Sequence, residues 1–131
     1  MDDEEREINS PILTIADPKG AIALAGVMGG RDSEVTETTI DVLLESANFE
    51  AINTRKTARA LGMSTEASYR YERGIRTELV PLALRRATKL ILELAGGSAA
   101  KGILDTSPTD KTYPPLTISH DKFERVLGAN V

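Results

Sequence analysis

The chain has 131 residues, a formal net charge of −4, 40% hydrophobic residues and only 4% aromatics, which suits one compact domain with a largely aliphatic core. It has no cysteine and a single histidine, His120, which excludes disulfides and thiolate metal sites and leaves no basis for a histidine metal centre. No apolar run approaches membrane-spanning length, and the acidic opening MDDEEREIN is neither a signal nor a transit peptide; a soluble, cytoplasmic protein with no membrane partner is expected.

After the acidic lead, ILTIA (12–16) reads as a strand, DPKG (17–20) as a turn and AIALAG (21–26) as the returning strand of a hairpin. Both strands are apolar rather than alternating, so cover on both faces is expected. TIDVLLESA (39–47) reads as another buried strand, interrupted by Glu45. A helix is predicted over 49–61, with Ala51, Thr54, Ala58 and Leu61 as a small-residue stripe and Gly62 at its left-handed end. STEASYRYERG (64–74) begins with helix-capping residue types, and its outline is left open.

The strongest helix is predicted over 77–95, from Thr77 as N-cap. Its apolar stripe is Val80, Ala83, Leu84, Ala87, Ile91 and Leu94, with Pro81 tolerated in the first turn. KGILD (101–105) reads as a short strand, and the proline- and threonine-rich stretch that follows reads as a linker. The last stretch, LTISHDKFERVLGANV, reads as a strand and a short helix in which Asp121 and Glu124 resemble a capping box. The fold class expected is α+β, a small sheet from 12–47 and 101–105 packed by two helices.

Charge divides along the chain. Residues 1–50 hold twelve acids and three bases, whereas residues 55–89 hold nine bases and three acids. The middle third could therefore face an anion such as RNA phosphate, or simply be solvated helix surface. Arg55, Lys56 and Arg59 share one helix surface and are the RNA-contact candidates; Arg70 and Arg73 are expected to pair internally. Tyr69 and Tyr71 are expected to pack rather than stack on bases.

Two features invite a site. AIALAGVMGG carries Gly26, Gly29 and Gly30, but it is neither GxGxxG nor GxxxxGK[ST], which argues against a nucleotide loop. The glycines serve either turns or the close approach of a ligand to bare backbone. Glu45 follows Val42, Leu43 and Leu44, and a carboxylate there must reach water, pair, or work, because burying it alone costs several kcal/mol.

The blocks AIALAGVMGG, SEV, LLESANF and TARALGMSTEASYRYERG, in this order and spacing, resemble the beta subunit of bacterial phenylalanine–tRNA ligase. The resemblance runs in register from about residue 12 through 76, more loosely through the long helix, and TISHDKFERVLG resembles the start of that subunit's next module. It implies residues 1–106 as the C-terminal part of a tRNA-editing domain, 107–115 as linker and 116–131 as the truncated start of the following module. It also implies that Gly29, Glu45, Thr65 and Ala67 line a pocket for hydrolysing Tyr-tRNA(Phe), with Glu45 accepting a hydrogen bond from the tyrosine hydroxyl.

For the parent enzyme the resemblance implies ATP, magnesium, tRNA(Phe) and an alpha subunit in a heterotetramer of two alpha and two beta chains. No cofactor is implied for this chain, and alone it is expected to be inactive, because the family's pocket also uses upstream residues. No side chain here is an obvious nucleophile, so hydrolysis would use water positioned by pocket and substrate. Glu50-Ala51 stands where the family commonly has Asp-Pro, and a weaker N-cap is expected there. The competing reading is a non-catalytic structural or tRNA-docking segment whose cationic helix does the work.

Overall fold

The computed structural model describes residues 4–9, 11–106 and 114–130. The chain divides into two compact units, Met1–Ala99 and Ala100–Val131.

In the first unit β1 (Thr14–Asp17) and β2 (Gly20–Leu24) form the expected antiparallel hairpin, with a register irregularity between Ile15 and Ala16. Asp17 closes its turn, its Oδ1 accepting the backbone N–H groups of Lys19 (2.7 Å) and Gly20 (3.0 Å). β3 (Met28–Gly29) pairs antiparallel with β2, completing a three-stranded sheet in the order β1-β2-β3. Gly30 continues the approach: its N–H donates to the Ile22 carbonyl at 2.8 Å, and a Cβ there would stand only 2.6 Å from the same oxygen.

The hairpin strands are not covered on both faces. Their residues are half-buried or exposed, and burial is concentrated in the turn after β2, at Ala25, Gly26 and Val27. Apolar sequence there marks a route into the core at one end of the strand, not a strand sandwiched throughout.

α1 (Ala51–Ala60) buries Thr54, Thr57 and Ala58 and leaves Arg55, Lys56 and Arg59 exposed. Its N-cap is stronger than the sequence implied. The Glu50 carboxylate accepts from the backbone N–H groups of Ile52 and Asn53, the two that a shorter aspartate would serve. Gly62 (φ +63) ends the helix in the left-handed region. α2 (Glu66–Tyr71) starts from a reciprocal capping box in which Thr65 Oγ1 accepts from Ser68 N–H and Ser68 Oγ accepts from Thr65 N–H, each at 3.0 Å. α1 and α2 pack on each other, with Ser68 and Met63 buried beside Thr54, Thr57 and Ala58.

α3 (Leu79–Ala95) forms, but its N-cap is Glu78, without a side-chain hydrogen bond, rather than Thr77. None of its residues is fully buried: Val80, Leu84 and Ala87 are half-covered while Leu94 is 84% exposed. The expected packing of this stripe onto the sheet is therefore not met.

Residues 39–47 form no strand. Ile40 (91%) and Leu43 (95%) stand almost fully exposed. A strand exists only through a neighbouring ladder, and among the described residues none lies beside this stretch. For the same reason 101–105 is irregular in the second unit, as is 116–118.

That unit contains α4 (His120–Leu127), capped by Ser119, whose Oγ accepts from Lys122 N–H, and closed by left-handed Gly128. The cap is Ser119 and not the Asp121–Glu124 pair. Most of the expected linker, 107–113, lies outside the described residues. No helix among them is long and apolar enough to cross a membrane.

Gly26 combines φ +69 with close neighbours: a Cβ would lie 3.0 Å from Phe49 Cδ2 and 3.1 Å from Thr54 Oγ1. Gly26→Ala is expected to lower stability by about 2 kcal/mol, from left-handed backbone and overpacking together. Urea unfolding followed by circular dichroism measures it.

Candidate functional site

The site is assembled around the β2–β3 turn. Val27 N–H returns to the Leu24 carbonyl (2.9 Å), which turns the Val27 carbonyl toward α2, where Thr65 Oγ1 donates to it at 2.7 Å. Thr65 thus uses its hydroxyl twice, as donor to the turn and as acceptor for the α2 cap. Ala67, in the first turn of α2, is half-buried. At the other end of α2, the Tyr71 ring meets the Phe49 ring with centroids 5.0 Å apart and planes tilted 59°. Both rings lie against the bare face of Gly26.

Tyr71 also reaches the irregular segment carrying Glu45, its hydroxyl donating to the Ala47 carbonyl at 3.1 Å. A second tether joins the segment to α3, Ser46 Oγ donating to the Val80 carbonyl at 2.9 Å. Glu45 is exposed as a residue, yet partial burial raises its carboxyl above the ordinary carboxylate value. The Tyr71 phenol is likewise raised, first by burial and then by the charge on Glu45, which places the two groups within electrostatic reach. Among the described residues Glu45 makes no hydrogen bond or ion pair of its own.

The four pocket candidates are therefore distributed unevenly. Glu45 lies near Tyr71, and Thr65 is bonded to the turn on which Tyr71 rests. Gly29 sits in β3 opposite Ala23 and lines a hollow of ≈ 530 Å³. Ile22, Leu24, Met28 and Arg31 share that lining with the N-terminal strap at Glu5 and Ile8, while Glu45, Thr65 and Ala67 do not border it. The three glycines have separate work: Gly26 admits two aromatic rings, Gly30 admits the Ile22 backbone, and Gly29 faces the hollow.

Sequence reasoning missed Ser46, Phe49 and Tyr71 as the parts that hold the Glu45 segment. The available signal was the scarcity of aromatics, since two of only five meet here.

The cations divide into two sets. Arg70 pairs with Glu66 at 2.7 Å; Arg73 pairs with Glu72 at 2.7 Å and lies 3.6 Å from the Tyr69 ring centre. Arg76 and Lys89 approach Glu78 and Glu93. Arg55, Lys56 and Arg59 are exposed and have no acidic partner among the described residues. No three potential metal ligands cluster among those residues.

A small antiparallel sheet joined through its turn to a pair of short helices, with an acid held at the junction, defines a compact α+β domain. The B3/4 domain family matches residues 1–96, and the chain belongs to it.

Over 128 residues, 98% of its length, it is 51% identical to the phenylalanine–tRNA ligase beta subunit of Dehalococcoides mccartyi strain 195. The same-named subunits of Geobacter sulfurreducens and Moorella thermoacetica are 42% and 48% identical to it over 131 residues, its full length. The chain spans 16% of the length of each of these relatives. The resemblance read from its motifs is thereby borne out.

The raised Glu45 carboxyl makes a signed prediction. Near pH 4.5 and below, folded and unfolded chains both tend to hold the proton. As pH rises through the window between that value and the raised folded value, ionisation favours the unfolded chain. Glu45→Gln should therefore stabilise the chain at neutral pH, by well under about 1 kcal/mol given the exposure of the site. The gain should fade in acid, as urea unfolding across pH would record.

Proposed function

We propose that this chain is the C-terminal part of the editing domain of a phenylalanine–tRNA ligase beta subunit, and that Glu45 reads the hydroxyl of a tyrosine wrongly attached to tRNA(Phe). The observation that carries the reading is an unpaired acid kept at the edge of the packed core. An acid with an internal cation would have its lone pairs occupied; this one keeps them open to a donor.

The chemistry of selection favours such a group. A synthetic pocket shaped for phenylalanine rejects an added hydroxyl only about a hundredfold, because an apolar wall punishes it weakly. An acceptor waiting for that hydroxyl discriminates by roughly 10⁴–10⁵, because phenylalanine leaves it desolvated and unpaired. Thr65 is held rigid by its two hydrogen bonds and Ala67 leaves room for the ring, while Gly29 borders a separate hollow on the sheet.

In the parent enzyme ATP and magnesium serve phenylalanine attachment, which takes place in the cytoplasm in a complex with the alpha subunit, in modules outside these residues. Within this chain the residues bind and orient, and hydrolysis uses water positioned with the help of upstream parts of the domain.

The unpaired cations on α1 favour a second role that fits beside editing or replaces it. Arg55, Lys56 and Arg59 contact tRNA phosphates and guide the acceptor end, whereas the paired Arg70 and Arg73 do not.

Glu45→Ala in the complete ligase should lower Tyr-tRNA deacylation by about 10- to 100-fold, the worth of one hydrogen bond to a charged group. Phenylalanine charging should persist. Undiminished tyrosine clearance would refute the assignment. Replacing Arg55, Lys56 and Arg59 with glutamine should weaken tRNA binding and flatten its salt dependence, by about 0.7–0.9 in slope for each phosphate left without its cation. Filter binding across a salt series measures both.

A further inference from the structure

The segment that carries Glu45 is almost without backbone support. Between residues 34 and 50 the only backbone pairing within the stretch among the described residues is Thr39 N–H to the Thr36 carbonyl, well upstream of the acid. What holds the acid in place is a small set of side-chain contacts: Ser46 Oγ on the Val80 carbonyl, and Tyr71, which meets both Ala47 and Phe49.

We infer that Tyr71 is the positioning residue of the Glu45 site, its hydroxyl holding the segment through the Ala47 carbonyl so that the carboxylate stays fixed and unpaired for a phenolic guest. The inference rests on the editing reading above and deepens it.

Three observations support it. First, the tyrosine stands on a rigid base. α2 is locked at its start by the Thr65–Ser68 box and by Thr65 Oγ1 on the Val27 carbonyl, so the position of Tyr71 is referred to the β2–β3 turn. Second, the ring is fixed as well as the backbone. It lies against Gly26, where a Cβ would come within 3.3 Å of Tyr71 Cδ2, and against the tilted ring of Phe49. Third, the hydroxyl spans the gap to Ala47, two residues beyond Glu45, at 3.1 Å. A continuous path of contacts thus runs from the sheet through α2 to the acid.

The same hydrogen bond solves a problem of self-occupation. Tyr71 is itself a phenol near a carboxylate that is meant to receive phenols. A neutral phenol has one proton to donate, and that proton is committed to the Ala47 carbonyl. Tyr71 therefore cannot plug Glu45, and the charge on Glu45 also discourages its ionisation.

Tyr71→Phe tests the idea, because it keeps the ring and its packing and removes only the tether. In the 131-residue chain, ¹³C NMR of the carboxyl groups should show Glu45 titrating closer to the ordinary carboxylate range in Tyr71→Phe, as the loosened segment lets water in. In the complete ligase, kcat/KM for Tyr-tRNA deacylation should fall by about 10- to 100-fold, the scale of a small misplacement of a binding group. An unmoved Glu45 titration in Tyr71→Phe overturns the inference, since a tyrosine that merely fills space would leave it alone. A shifted titration, together with full deacylation by Glu45→Ala, would instead sink the reading of Glu45 as acceptor and leave the tether standing.

Discussion

The hydrogen bond from Thr65 to the Val27 carbonyl is the constraint on which the rest is hung. A tight turn exposes carbonyls that must find donors once buried, and Val27 is among the most buried residues, at 2% exposure. The donor comes from the residue that also caps α2. One hydroxyl thereby joins the sheet to the helix pair and sets the direction in which α2 runs. Gly26, just before it, keeps the turn thin enough for Phe49 and Tyr71 to close over it. Sheet, helices and the acid-bearing segment meet at this point.

The core around that junction is unusual in its materials. Of the seven buried side chains among the described residues, three carry hydroxyls, Thr54, Thr57 and Ser68, and the apolar ones are Ala25, Val27, Ala58 and Met63. Such a core gains little from aliphatic burial, and of its hydroxyls Ser68 is tied by defined hydrogen bonds, as acceptor from Thr65 N–H and donor to the Thr65 carbonyl. Meanwhile Ile40, Leu43 and Leu94 stand in solvent.

Features encoded within a few residues were legible in the sequence. The Asp17–Gly20 turn, the left-handed Gly62, and the small stripe of α1 depend on local chemistry, and each stands where the pattern put it. The internal pairing of Arg70 and Arg73 was legible for the same reason, since their partners lie within four residues. Features that depend on a distant partner were not. Residues 39–47 have strand composition, but a strand is a relation between two segments, and composition names only one of them. Whether each glycine of the turn admits a ring, a backbone or a guest depended on what folds back over it. The tether from Tyr71 to the Ala47 carbonyl links two segments far apart in sequence and showed only in three dimensions.

The carboxylate at the head of α1 has a consequence for how a polyanion can arrive. Helix beginnings ordinarily welcome phosphate through free amides and a positive pole. Here Glu50 already fills two of those amides and brings its own negative charge. For the tRNA contact proposed above, this closes the tip and leaves the exposed flank of Arg55, Lys56 and Arg59 as the face on offer. One residue, by closing the end-on route, gives the helix a broadside approach.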